Sequence, residues 1–200
     1  MSGKARSATA SLTAALLFAW IARVALAPAA PPADLSIRAA VHGLASPALT
    51  VLMKALTGVG GGWFLWVFGA LVALGLALAG RRRDAAGFAA VVLGANLLNE
   101  GLKLLFHRAR PESFFGFEAP STYSFPSGHA FVALCFYLAL AELFTPPARR
   151  AAARWCALAL GFAIGFSRVY LGVHYPTDVA AGWAGAAAWL GAVEWLRRRA

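Results

Sequence analysis

Long apolar runs constrain this chain more than any other feature. Six stretches, at about residues 9–28, 62–80, 86–105, 129–145, 153–168 and 177–196, carry few charges. A run of about 20 residues rising about 1.5 Å each crosses a hydrocarbon core about 30 Å thick. Hydrophobic residues make up 60% of the chain and charged residues 13%, and the mean hydropathy is +0.68. That composition excludes a water-soluble globule. The prediction is a single all-α domain over residues 1–200, a polytopic membrane bundle of about six transmembrane helices.

The charges indicate how such a bundle would lie. A formal net charge of +10 raises the question of nucleic acid, but the basic residues form clumps at the ends of apolar runs. They make no continuous basic face or aromatic-interleaved stripe, so no nucleic-acid partner is expected. Lys4 and Arg6, Arg81–Arg83, Arg149, Arg150 and Arg154, and Arg197–Arg199 all fall on one side of a six-span path. By the positive-inside rule that side is cytoplasmic, as are both termini. Segment 29–61 and loops 106–128 and 169–176 then face outward, into the periplasm if the membrane is a bacterial inner one.

The first run is expected to be a retained anchor, although Ala25–Ala30 resembles a signal-peptide cleavage region. Segment 29–61 is broken by Pro31 and Pro32 and moderately amphipathic, which predicts an interfacial helix. Gly58, Gly60, Gly61 and Gly62 mark a turn before the second run. Trp63 and Trp66 at one end, with Trp155 and Trp195 at the other, suit the two aromatic belts. Small residues over 179–188, among them Gly182 and Gly185, would let the last helix pack closely. Cys135 and Cys156 fall within apolar runs and are expected to be buried and inert.

Three polar clusters interrupt the apolar sequence, all near the outward ends of predicted spans. The first is Lys103 with Arg110-Pro111, the second Pro126-Ser127-Gly128-His129, the third Ser167-Arg168 with His174 and Asp178. Ionisable groups at membrane depth are costly and mark function by default. Lys103 and the arginines suit phosphate oxygens, arginine gripping two at once and lysine acting as a point charge. Taken singly, Lys103 also fits a snorkelling anchor, and Arg108 and Arg110 a solvated loop. Ser127 reads as a helix N-cap whose helix start offers free N–H groups to an anion. Gly128 permits close approach, and His129 at the helix mouth suits protonation of a leaving alkoxide. A plain helix-capping turn fits that string equally. Asp178, four residues after His174, can accept from one ring nitrogen and leave the other free as a nucleophile. It also fits a favourable charge at a helix N-terminus.

Together the patterns Lys-x6-Arg-Pro, Pro-Ser-Gly-His and Ser-Arg-x5-His-x3-Asp resemble those of the type 2 phosphatidic acid phosphatase superfamily. Lys103, Arg110, Pro111, Pro126, Ser127, Gly128, His129, Ser167, Arg168, His174 and Asp178 match without departure and in the family's order. The motif region is 103–178, and the six-span layout extends the likeness along the chain. The resemblance implies a core shared with the vanadium haloperoxidases and a two-step phosphoryl transfer that uses no metal or other cofactor. In it His174 is the nucleophile, Asp178 its orienter and His129 the acid and then the base. Lys103, Arg110, Ser127, Gly128 and Arg168 hold the phosphate oxygens. The expected partners are a lipid phosphate or diphosphate and the surrounding membrane lipids, with undecaprenyl diphosphate as the first expectation. Phosphatidylglycerophosphate, phosphatidate, a phosphotransferase reaction and a non-enzymatic lipid carrier are the alternatives.

Two further features are softer. Asn96, Asn99, Glu100 and Lys103 recur at helical spacing, which predicts one face with Glu100 orienting Lys103. The aromatic loop 112–125 is either a lid beside the site or packing on the bundle.

Overall fold

The computed structural model describes residues 3–118 and 120–199. Among them are eight α-helices and no strand: α1 (Gly3–Ala25), α2 (Pro32–His42), α3 (Pro47–Val59), α4 (Gly62–Leu78), α5 (Arg82–Phe106), α6 (Gly128–Phe144), α7 (Arg150–Tyr170) and α8 (Pro176–Arg197). Each of the six predicted runs is a helix. The all-α expectation holds.

Helix α6 is apolar all round and becomes the centre of the bundle, as such a helix must. Ala130, Phe131, Ala133, Cys135 and Phe136 are fully buried there. Phe136 packs with Leu65 of α4, Phe88 of α5 and Ile164 of α7, while Phe131 and Leu134 meet Val91, Ala95 and Ala186. α8 closes on this core through its small residues. A side chain at Gly182 would come within 2.7 Å of the Ala130 Cβ and 2.8 Å of the Ser127 carbonyl. α1 runs antiparallel along α8, with the Ser11 hydroxyl donating to the Ala188 carbonyl at 2.8 Å. Leu97, Leu104, Leu105 and Trp63 point outward and exposed, the apolar surface a bilayer covers.

Length and composition alone do not confirm the count of six spans. Three helical stretches, Gly3–Ala25, Arg82–Phe106 and Pro147–Tyr170, are long and apolar enough to cross a membrane, and α3 with α4 makes a fourth if that pair, bent by 45°, is one span. α6 has only 17 residues, about 26 Å at the usual rise, and its neighbours surround it. α8 replaces large apolar side chains by Ala and Gly in order to pack. Neither is both long and apolar enough to be counted with those stretches.

Segment 29–61 also departs from expectation. It holds two helices instead of one interfacial helix, and α3 packs into the bundle against α7, burying Met53 and Thr57. The glycine turn expected at 58–62 is present, as the break between α3 and α4. Cys135 is buried as expected, but Cys156 is exposed on the outer face of α7.

The basic clumps gather at one end. The Arg198 guanidinium crowds Gly3, and Arg81 Nη2 donates to the Leu143 carbonyl at 3.3 Å. Arg154 pairs with Glu142, and Arg198 with Glu194 at 2.6 Å. The ends of α5 and α7 and the starts of α6 and α8 meet at the opposite end, and these are the segments that carry the three polar clusters.

Candidate active site

Lys103 occupies the last turn of α5, which ends in a left-handed residue, His107. Its ammonium is buried and donates to Glu100 Oε1 at 2.7 Å and Thr122 Oγ1 at 3.5 Å. The ion pair expected from their spacing is therefore present. Asn99, one turn earlier, donates from Nδ2 to the Pro126 carbonyl at 3.4 Å. Arg110 lies in the following loop and is clamped on three sides. Its Nε donates to the Thr122 carbonyl at 2.7 Å, its Nη2 to the Tyr123 carbonyl at 3.1 Å and its Nη1 to the Val173 carbonyl at 3.0 Å.

The second cluster opens α6. Ser127 is at the N-cap position as predicted, but its hydroxyl makes no capping bond and is buried without a partner. Its backbone N–H donates instead to the Asp178 carbonyl at 3.0 Å, which joins the second cluster to the third. Gly128 faces α5 so closely that a Cβ there would lie 3.0 Å from Asn99 Oδ1 and 3.7 Å from Lys103 Nζ. A side chain there would crowd Asn99, so glycine lets the start of α6 approach α5 this closely. His129 follows, its ring beside the Gly60–Gly61 break.

In the third cluster Ser167 turns away, its hydroxyl donating to the Ile164 carbonyl at 2.6 Å. Arg168 is buried at the end of α7, with Nη1 bonded to Thr57 Oγ1 of α3 and Nε unpartnered. After a turn at Gly172, His174 presents Nδ1 to Asp178 Oδ2 at 3.3 Å. Asp178 Oδ2 also accepts from the Tyr175 N–H at 2.9 Å and the Ser124 hydroxyl at 2.5 Å. A carboxylate on that side fixes the Nδ1–H tautomer. The Nε2 lone pair then faces Arg110 Nη1, 3.0 Å away. Burial lowers the His174 pKa to about 4 despite the raising pull of Asp178, so the ring is neutral at pH 7 and its lone pair is available.

His129 and His174 line one cavity of about 160 Å³, together with Lys103, Arg110, Gly128, Asn99, Glu100 and Thr122. Leu65, Trp66, Val92 and Val132 form its apolar wall. Ser127, Arg168 and Asp178 stand behind this lining, buried. Ser127 Oγ and Arg168 Nε are donors left unused in the bundle. Buried polar atoms without partners are uncommon, and Asn99 Oδ1, an acceptor on the cavity lining, is another. Among the described residues, no three His, Cys, Asp or Glu side chains gather as metal ligands.

Several groups at this end were not singled out in the sequence. Ser124 and Thr122 sit in the aromatic loop and gave no periodic signal. Thr57 looked like any polar residue in an amphipathic stretch. Arg108 fitted a solvated loop, yet its side chain is only 9% exposed and bonds both Asp178 and Asp34. Asp34 offered one usable hint, as the only acidic residue before Asp84. The aromatic loop packs on the bundle: Phe125 is fully buried and Phe115 stacks on Tyr170 at 5.3 Å.

The chain is similar to known proteins along most of its length. The model of the PAP2 superfamily matches residues 84–200. Phosphatidylglycerophosphatase B of Bacillus subtilis (strain 168) is 31% identical over 157 residues, covering 76% of this chain and 77% of the relative. The crystal structure of a transmembrane PAP2-type phosphatidylglycerolphosphate phosphatase from Bacillus subtilis superimposes with a TM-score of 0.85 at 28% identity, covering 95% of this chain and 96% of that one. Undecaprenyl-diphosphatase of Sulfolobus acidocaldarius is 36% identical over 98 residues, only 44% of this chain and 43% of the relative.

Proposed function

The chain belongs to the PAP2 superfamily, and from that premise we propose that it is a metal-independent lipid phosphatase whose preferred substrate is phosphatidylglycerophosphate. It is a membrane protein and a phosphoric ester hydrolase of this family. Undecaprenyl diphosphate, the first expectation from the sequence, gives way as substrate. The likeness to an undecaprenyl-diphosphatase covers less than half of either chain, whereas the likeness to phosphatidylglycerophosphatase B runs along most of both.

The observation that carries the mechanism is His174, a residue of the cavity lining, with Nδ1 toward Asp178 and Nε2 toward Arg110. In the first step Nε2 attacks phosphorus, an N–P bond forms and the P–O ester bond breaks. The departing glycerol oxygen takes a proton from His129 on the cavity wall, which the dianionic phosphate of the bound substrate keeps protonated. In the second step water attacks phosphorus and gives its proton to His129. The N–P bond breaks, its electrons return to His174 and inorganic phosphate leaves. The Arg110 Nη1–H now on Nε2 is freed for a phosphate oxygen as phosphorus takes that place. Lys103, Arg168, Ser127 and the Gly128 N–H complete a set of fixed donors for the charge that develops on oxygen. The apolar wall at Leu65, Trp66, Val92 and Val132 suits the adjoining lipid. We place the site at the outer face of the cell membrane, because the basic clumps lie at the opposite end of the bundle.

The test is phosphate release by the purified protein from phosphatidylglycerophosphate, phosphatidate and undecaprenyl diphosphate, with and without chelator. Phosphatidylglycerophosphate turns over fastest, chelator changes nothing and His174→Ala abolishes release. Release that requires an added metal, or that survives in His174→Ala, overturns the mechanism. A faster rate on undecaprenyl diphosphate overturns the substrate.

A further inference from the structure

The carboxylate behind the nucleophile is itself held by residues that the three motif patterns leave unspecified. Arg108 Nη1 donates to Asp178 Oδ1 at 2.5 Å, and Arg108 Nη2 to Asp34 Oδ2 at 2.9 Å. Asp34 lies in the first turn of α2, far from the motifs in sequence, and is 0% exposed, as is Asp178. Thr177 completes the group. Its N–H donates to Asp34 Oδ1 at 2.9 Å and its hydroxyl to Asp34 Oδ2 at 2.6 Å, while Arg108 Nη1 donates to that hydroxyl at 2.8 Å. The Arg108 guanidinium lies 4.2 Å over the ring of Tyr175, the neighbour of His174. A second arginine fastens α2 to the same loop: Arg38 Nη2 donates to the Gly172 carbonyl at 3.1 Å and to the Glu112 carbonyl at 2.6 Å.

Resting on the phosphohistidine reading above, we propose that Asp34 and Arg108 are positioning residues for His174, making α2 part of the machinery that aims the nucleophile. The argument has two steps. With Oδ1 held by Arg108, the Asp178 carboxylate can turn only one oxygen, Oδ2, to His174 Nδ1, Ser124 and the Tyr175 N–H. That fixes the ring's tautomer and aim. Asp34 then shares the Arg108 charge. Without it, one guanidinium would neutralise Asp178 alone and weaken the pull of that carboxylate on the Nδ1 proton. Without Arg108, two buried carboxylates would face each other with no cation between them, and one would take up a proton. Arginine suits the place because its planar fork reaches two carboxylates at once.

The test uses the full-length protein, phosphatidylglycerophosphate as substrate, and Asp34→Asn, Arg108→Gln and the double variant. Asp34→Asn keeps the shape and an acceptor for Thr177. It lowers kcat by about 10-fold, and Arg108→Gln by up to about 100-fold, the scale of small misplacements at a reacting group. KM stays within about threefold in both, since neither residue lines the cavity. Adding Asp34→Asn to Arg108→Gln raises kcat again, because the surplus carboxylate is gone. In nitrogen-15 histidine spectra the His174 Nδ1–H resonance moves upfield in Asp34→Asn, reporting the weaker hydrogen bond. An unmoved resonance with kcat within twofold of wild type in Asp34→Asn overturns the proposal, even if Arg108→Gln fails to fold. Equal loss in Arg108→Gln and the double variant overturns it too, because a scaffold role gives no rescue. Undiminished release by His174→Ala instead sinks the phosphohistidine reading itself, and this proposal with it.

Discussion

At the scale of single residues, His174 shows how the fold prepares an ordinary side chain. A free imidazole is half protonated near pH 6.5. Burial brings His174 down to about 4 although Asp178 pulls the other way. The sign follows from that direction: as pH falls from 7 to 5, most histidines gain a proton and His174 does not. Nitrogen-15 histidine spectra should show one ring that keeps its Nδ1–H neutral form across this range and titrates only near pH 4. A His174 signal that titrates near 6.5 would contradict the buried, carboxylate-held ring described here. The His174–Asp178 pairing was legible in the sequence, since the two residues are four apart around a turn and a helix start. The Arg108 contact to Asp178 was not, because no spacing rule links a loop arginine to an aspartate 70 positions later.

At the scale of elements, the helices were legible because apolar runs declare themselves, whereas the packing of α3 was hidden. Pro47 and the glycines after Val59 set its limits, but nothing local says that its Thr57 meets Arg168 of α7. Thr57→Val removes that acceptor and leaves a buried guanidinium short of a partner. The expected cost is about 1–3 kcal/mol of stability, read as a lower unfolding midpoint in detergent, with a raised KM as Arg168 loses its seat. The α6–α8 contact is tighter still. Gly182→Val drives a side chain into Ala130 and the Ser127 carbonyl, and overpacking of this kind costs about 1–3 kcal/mol. Because Ser127 also bonds the Asp178 backbone, activity should fall more steeply than stability. A Gly182→Val protein as stable and active as wild type would mean that the two helices sit further apart than described. The sequence marked these small residues as a close-packing face. Their partner helix came only from the fold, since any of several helices would have fitted the pattern.

At the scale of the whole molecule, distant stretches meet at one end because the helices alternate in direction. That parity explains why the three clusters, separated by long apolar runs, are readable as one site from the sequence. It was less informative about span number, because α6 and α8 are shaped by burial among neighbours and not by contact with lipid. The basic clumps at the opposite end predict orientation, and labelling in intact cells checks it. In a variant with Cys135 and Cys156 replaced by serine, Glu112→Cys should react with an impermeant maleimide from outside. Arg82→Cys should react only after the cells are opened. The reverse pattern would put the site on the cytoplasmic face.

The most direct measurement is to trap the phosphorylated enzyme. Protein mixed with phosphatidylglycerophosphate radiolabelled in its terminal phosphate, then quenched in alkali, should carry label on His174 in the acid-labile, alkali-stable form of a phosphoramidate. The label should form much more slowly in His129→Ala, where the departing glycerol oxygen is not protonated, and be absent in His174→Ala. Label on any other residue, or rapid phosphate release by wild type with no labelled protein at any time, would contradict the account.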